Sequence, residues 1–375
     1  MWMIVFLVLP FIGLGYALWH IWRILPFSNI VKYVVITACI AAFLTFFLSF
    51  TGLTDNLPLS VASVVYETGT SALIIMLYLV MLFLLLDIAH LCHIIPKGWL
   101  QSNACSSVAV LLIIVAVFVY GNINYNNKRR IELSLEAYFG IGEKPVKLVL
   151  LSDLHLGYGN RRVDFAKWVD KVNAEKPDLI LIGGDIIDTS IKPLLEENVA
   201  EEFKRFNAPV YACLGNHEYY SGKERSIDFY KRAGINLLID SVATIGKISI
   251  IGRDDRTNGN KKSVDELIKG VPQLNYTILL DHQPYNLREA DFAGIDFQFS
   301  GHTHRGQVWP VSLITDHIFE KSYGYLRRWN TDYYVSSGIG IWGGKYRIGT
   351  CSEYVVATVT SRKKEQRECK LNCVK

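Results

Sequence analysis

Apolar residues run almost unbroken for about 17–25 positions four times in the first third of the chain, at 1–25, 33–50, 72–95 and 104–120. A helix needs that length to cross a hydrocarbon core. Trp2, Trp19, Trp22 and Trp99 fall near the run ends, where amphipathic rings settle at a bilayer interface. The pattern predicts four membrane spans over residues 1–121. The first run lacks a positive leader and three more follow it, which argues against a cleaved signal peptide.

After residue 121 the rhythm changes. A polar linker is expected over 122–145, and then short β-branched runs alternate with helical periodicity. "VKLVLLSD" (146–153), "PDLILIGGD" (177–185) and "APVYACLGN" (208–216) read as buried strands. Residues 162–176 and 196–206 between them read as helices. Such alternation implies parallel strands in a layered α/β sandwich. Later strands at 243–252, 275–281, 296–300, 332–337 and 353–360 come with fewer helices, which predicts a second, more antiparallel sheet. The sandwich is expected over 146–360, followed by a charged tail at 361–375.

Charge sharpens this division. Residues 1–127 hold three basic and three acidic side chains, leaving 36 of 39 Lys+Arg and 32 of 35 Asp+Glu to the remainder. A net charge of +4 with no basic-aromatic stripe gives no footprint for nucleic acid. Orientation stays open, because Arg23, Lys32 and Lys97 favour one side of the bilayer and Lys128, Arg129 and Arg130 the other. The seven cysteines form no disulfide framework, although Cys369 and Cys373 are close enough in sequence for a metal or a disulfide. Asp87, His90 and His93 recur every third residue, so they share a face at the end of the third run, where ionisable groups point to function.

Each strand of the second part ends in polar residues. These are Asp153 and His155; Gly183 to Asp188; Asn216, His217 and Glu218; Asp281, His282 and Gln283; and His302 and His304. Ligands collect outside the carboxyl ends of strands in α/β sheets, so these clusters can converge on one crevice. Six of the nine histidines lie in this part, and only His317 falls outside the clusters. Carboxylates, imidazoles and an asparagine carbonyl without thiolate suit manganese, iron or zinc. More than four ligands suggest two ions, and a two-metal site can clamp both oxygens of a displacement at phosphorus.

"SDLHLG", "GGDIID", "GNHEYY", "DHQP" and "GHTHRGQ" resemble the D-x-H, GD-x-x-D, GNHE, H-x-P and GHTH motifs of calcineurin-like metallophosphoesterases. The wording is most similar to the membrane-associated bacterial branch. The resemblance covers about 146–360 and implies a four-layer α/β/β/α sandwich with a dinuclear centre. It places Asp153, His155 and His304 on one ion, Asn216, His282 and His302 on the other, and Asp185 between them. His217 is implied as the proton donor to the leaving group, with Asp188 orienting it. Arg305 stands where the branch often has glycine, and it either contacts a substrate anion or points into solvent. The glycines of "SSGIGIWGGKYRIG" (336–349) would allow close approach to the metal site, and no P-loop is present.

The function implied is attack by a metal-bridging hydroxide on a phosphoric ester. The substrate could be a lipid-linked phosphate or diphosphate, such as a UDP-diacylglucosamine pyrophosphohydrolase would cleave, or a soluble ester. A non-catalytic receptor or scaffold that keeps the fold is the alternative class, and a transporter would rest on Asp87, His90 and His93 alone. The bilayer is the expected partner, in a bacterial inner or plasma membrane, and the sequence sets no oligomeric state.

Overall fold

The computed structural model describes residues 2–49 and 51–362, so Cys369 and Cys373 lie outside the described residues. The chain divides into two compact units, Met1–Ile123 with Gly343–Tyr346, and Asn124–Trp342 with Arg347–Lys375.

The first unit holds four helices, α1 (Trp2–Ile24), α2 (Asn29–Leu48), α3 (Leu59–Leu91) and α4 (Ala104–Asn126). Among the described residues three of them, α2, α3 and α4, are long and apolar enough to cross a membrane. The expected first span falls on α1, whose described apolar part, Val8–Ile24, is shorter than the other three. Helix α3 starts well before the run at 72, since Ser60, Ser63, Thr68 and Thr70 interrupt the apolar pattern without breaking the helix. A Cβ at Gly69 would collide with the backbone of Phe46, so this small residue lets α3 lie directly against α2. The segment Gly343–Tyr346 belongs to this unit: the Gly343 amide donates to Tyr66 Oη at 3.0 Å, and the Tyr346 ring meets Phe118 edge-on at 4.8 Å.

Asp87 accepts from Tyr16 Oη at 2.6 Å and pairs with His20 Nε2 at 3.0 Å, both on α1. His90 turns to the Ile95 carbonyl, and His93 lies past the helix end with a φ of 59°. The expected Asp87–His90–His93 set is therefore not a working cluster. Tyr16 and His20, four residues apart on one helical face, are the true partners of Asp87.

The second unit is built on two six-stranded sheets. Its strands are β1 (Arg129–Ala137), β2 (Val146–Leu151), β3 (Leu179–Ile182), β4 (Val210–Ala212), β5 (Asn236–Leu237), β6 (Ser241–Ile245), β7 (Ile248–Gly252), β8 (Tyr276–Leu280), β9 (Phe297–Ser300), β10 (Gly324–Arg328), β11 (Thr331–Val335) and β12 (Glu353–Ser361). One sheet runs β1-β12-β2-β3-β4-β5 and the other β10-β11-β9-β8-β7-β6. Helices α5 (Arg162–Ala174), α6 (Lys192–Glu196), α7 (Ala200–Phe203), α8 (Asn216–Tyr220) and α9 (Lys223–Arg232) connect the first sheet. Helices α10 (Val264–Leu267), α11 (Arg288–Ala293) and α12 (Val311–Ile318) follow in the second half.

Three buried clusters define four layers. Val149, Leu151, Ile180 and Ile182 face Phe165, Trp168 and Phe203 on the helical side. Their neighbours Leu148, Leu150, Leu179 and Leu181 point the opposite way and meet Ile250, Ile278, Leu280, Phe297 and Phe299 of the second sheet. Ile251, Leu279 and Tyr333 then pack on Val264, Leu267, Leu287 and Ala290 under α10 and α11. A strand covered on both faces has no polar side, which is why the runs read as continuously apolar. This is the α/β/β/α sandwich.

Three sequence expectations change here. The segment 122–145 is not merely a linker: α4 reaches Asn126, and β1 pairs in parallel with β12 along nine residues. Residues 243–252 are a β6–β7 hairpin, turned at Gly246, and not one strand. The second sheet is antiparallel only at its edges, since β7, β8, β9 and β11 are mutually parallel.

Candidate metal centre

Every strand that carries a polar cluster delivers it at its carboxyl end, and both sheets do so on one edge. β2 leads to Asp153 and His155, β3 to Asp185 and Asp188, β4 to Asn216 and His217, β8 to His282, and β9 to His302 and His304. The chain must turn sharply within one or two residues of each strand. Five of the seven expected ligands take a left-handed backbone: Asp153, His155, Asp185, His302 and His304 have φ between 44° and 70°. That conformation is strained for residues with a Cβ, and such strain concentrates at functional sites.

The side chains converge as three overlapping groups with mutual donor distances within 4.8 Å: Asp153, His155 and His304; His155, Asp185 and His217; and Asp185, His282 and His302. His155 Nε2 lies 3.0 Å from His304 Nε2 and 3.6 Å from Asp185 Oδ2, and His304 Nε2 lies 3.5 Å from Asp153 Oδ1. On the other side His282 Nε2 is 3.1 Å from Asp185 Oδ2, and His302 Nδ1 is 2.8 Å from Asn216 Oδ1. Ligands around a tetrahedral ion with bonds of about 2.0–2.1 Å stand roughly 3.3 Å apart, so these spacings fit metal coordination. Asp185 lies within reach of both halves.

The electrostatics agree with a cation. Asp153, Asp185 and Asp188 are all buried, and burial together with the Asp185 charge pushes the Asp153 carboxyl up. Burial and the neighbouring His282 hold the His302 imidazole down to about 4, while burial and His155 hold His304 well below its ordinary value. Neutral imidazoles present the lone pair that a metal requires, whereas burial would lower His282 but the Asp185 charge raises it well above its ordinary value, so a metal there would have to displace a proton. The His282 tautomer is fixed from behind, since its Nδ1 donates to the Gly183 carbonyl at 2.7 Å and leaves Nε2 free to coordinate.

His217 differs from these. Burial would lower it, but the Asp185 charge and the hydrogen bond to Asp188 raise it to about 9. Its Nδ1 lies 3.4 Å from Asp188 Oδ1, and the same oxygen lies 3.4 Å from His155 Nδ1. Burial would raise Asp188, yet the hydrogen bonds from both histidines hold it at about 2. Asp188 thus supports two imidazoles, where the sequence suggested one.

Three supporting residues were given no role by the sequence. The buried Glu218 carboxylate accepts from the amides of Asp185, Ile187 and Gly215, tying the β3 and β4 loops together. Asn160 donates to the carbonyls of Leu154, His155 and Ile341. The fully buried Arg347 donates to the carbonyls of His304 (2.7 Å), Ser337 and Gly340 (3.1 Å) and to Ser352 Oγ. Only Glu218 carried a sequence signal, its place beside Asn216 and His217. The glycines after β11 do approach the site: a Cβ at Gly338, whose φ is 88°, would stand 2.8 Å from Asp153 Cβ.

Arg347→Met is expected to take the guanidinium donor from the Ser337 and Gly340 carbonyls, each costing about 1–3 kcal/mol, and to leave the His304 carbonyl with the Gln307 amide. The melting temperature should fall and the Asp153–His155–His304 half should retain less metal, as thermal unfolding and elemental analysis of the full chain will read.

The comparisons with known proteins follow this geometry. The profile of the calcineurin-like phosphoesterases matches residues 146–306. An uncharacterized metallophosphoesterase of Campylobacter jejuni is 33% identical over 261 residues, covering 67% of this chain and 69% of its own length. The chain belongs to the calcineurin-like metallophosphoesterase family. An uncharacterized metallophosphoesterase of Aquifex aeolicus is 34% identical over 229 residues, spanning 58% of this chain and 86% of that one. A protein of Danio rerio described as a transmembrane protein with metallophosphoesterase domain is 29% identical over 271 residues, or 66% of this chain and 61% of that one. This metallophosphoesterase is accordingly a metal-dependent phosphoester hydrolase associated with a membrane.

Proposed function

We propose that Asp153, His155 and His304 hold one divalent ion, that Asn216, His282 and His302 hold a second, and that Asp185 bridges them. The convergence of these seven donors at the strand ends carries the assignment. Manganese, iron and zinc all suit the donor set. Ions held there would supply Lewis-acid stabilisation at phosphorus and a nucleophile at neutral pH.

The chain's own residues do the rest. His217, held by Asp188, delivers a proton to the departing oxygen and then needs reprotonation from solvent. Asp188 fixes the imidazole so that Nε2 faces the substrate. Arg305 binds an anionic group of the substrate. Its guanidinium stacks over Tyr323 at 4.8 Å. Tyr323 is itself fixed by its hydroxyl donating to Glu353 at 2.7 Å. Such a platform leaves the donor fork free for phosphate.

The substrate is a phosphate or diphosphate ester linked to a lipid. Three helices able to cross a membrane support this reading, since an anchor confines enzyme and lipid to one surface. The test is surface dilution with the full chain in vesicles. Lowering the mole fraction of a lipid diphosphate at constant bulk concentration should lower the rate in proportion. A rate that follows bulk concentration alone, with equal turnover of a soluble ester, would assign the enzyme to soluble substrates.

A further inference from the structure

Helix α12 lies just beyond the His302–His304 loop and presents an apolar face to solvent. Leu313, Ile314 and Ile318 are 56–58% exposed, although burial of such side chains is the ordinary outcome in a folded domain. The face does not stand alone. Ile318 and Phe292 line the same open cavity of about 510 Å³, and the Phe292 ring meets Trp329 at 5.5 Å. Phe292 and Trp329 are 70% and 68% exposed. Trp309, half exposed, precedes the helix. Arg288, Glu289 and Glu320 also line that cavity, and an exposed apolar patch rimmed by charge marks an interaction site.

The occupant follows from the same molecule. A short helix with Leu313, Ile314 and Ile318 on one face together with His317, Asp316 on the other and Trp309 before its start has the make-up of an element lying in a membrane interface. The protein carries helices long and apolar enough to cross a bilayer. We infer that α12, with Trp309, Phe292 and Trp329, docks on the lipid surface and inserts its apolar face into the headgroup region.

This docking can be read without turnover, so it stands or falls apart from the substrate assignment. The full chain is placed in phosphatidylcholine vesicles containing a photoactivatable diazirine lipid, illuminated, and digested with trypsin. Residues 306–321 emerge as one peptide that holds all of α12. Residues 163–167, which carry the equally exposed Val163 on α5, give the comparison. The expected result is at least about tenfold more label on 306–321 than on 163–167, as for a segment lying in the interface. Leu313→Gln with Ile314→Gln should remove most of that label, with metal content and melting temperature reporting an intact fold. Labelled spanning helices beside an unlabelled 306–321 would overturn the proposal. A dimer lost in the double variant, with no label in either protein, would assign the face to a second copy and overturn it equally.

Discussion

Asp185→Asn should strip the protein of metal and activity together. The Asp185 carboxylate stands 3.1 Å from His282 Nε2 and 3.6 Å from His155 Nε2, one on each side of the centre. Asparagine keeps its shape and tolerates the left-handed backbone there, so the chain should still fold. What is lost is the charge shared by both halves. Metal assistance at phosphorus is worth several kcal/mol, so the rate should fall roughly 10²–10⁴-fold. Elemental analysis of full-length protein purified without chelator should find about two ions in the native chain and a large deficit in the variant. A native chain that hydrolyses its ester at full rate after exhaustive chelation would end the assignment.

His217→Ala should act differently. Its imidazole is held by Asp188 and not by the metal donors alone, so the ions should stay while turnover slows. A positioned general acid contributes roughly 10²–10⁴-fold, and its contribution grows with the basicity of the leaving oxygen. Alkyl phosphoesters should therefore lose most, and esters of acidic phenols least. Equal losses across a series of leaving groups would show that His217 does not deliver the proton.

Much of this site could be read from the sequence because its chemistry is local. A strand that ends in Asp-x-His or Gly-x-His-x-His needs only the rule that strand ends face one crevice, and the five clusters then meet. Residues that act through the backbone gave no such signal. Arg347 belongs to none of the polar clusters, and its importance arises only when the chain folds the distant His304 carbonyl and the nearby Ser337 and Gly340 carbonyls around it. Strand β1 was misread for another reason. Ile131, Leu133 and Leu135 alternate with polar residues as an edge strand should, but the pattern follows a long span and resembles a tether. In the helical unit, Asp87 drew attention to its own helix, whereas its partners Tyr16 and His20 sit in an α1 that reads as uniformly apolar.

The left-handed turns at Asp153, His155, Asp185, His302 and His304 also bear on how such a protein can change over time. Each holds a side chain where glycine would rest more comfortably, at a cost of about 1 kcal/mol apiece. Directed evolution for heat tolerance alone would therefore favour glycine at these positions, and each gain would erase a donor atom. Stability and turnover pull in opposite directions at the same five codons. An engineer seeking a hardier enzyme would have to look elsewhere, in the packed layers, and leave the strained corners as they are.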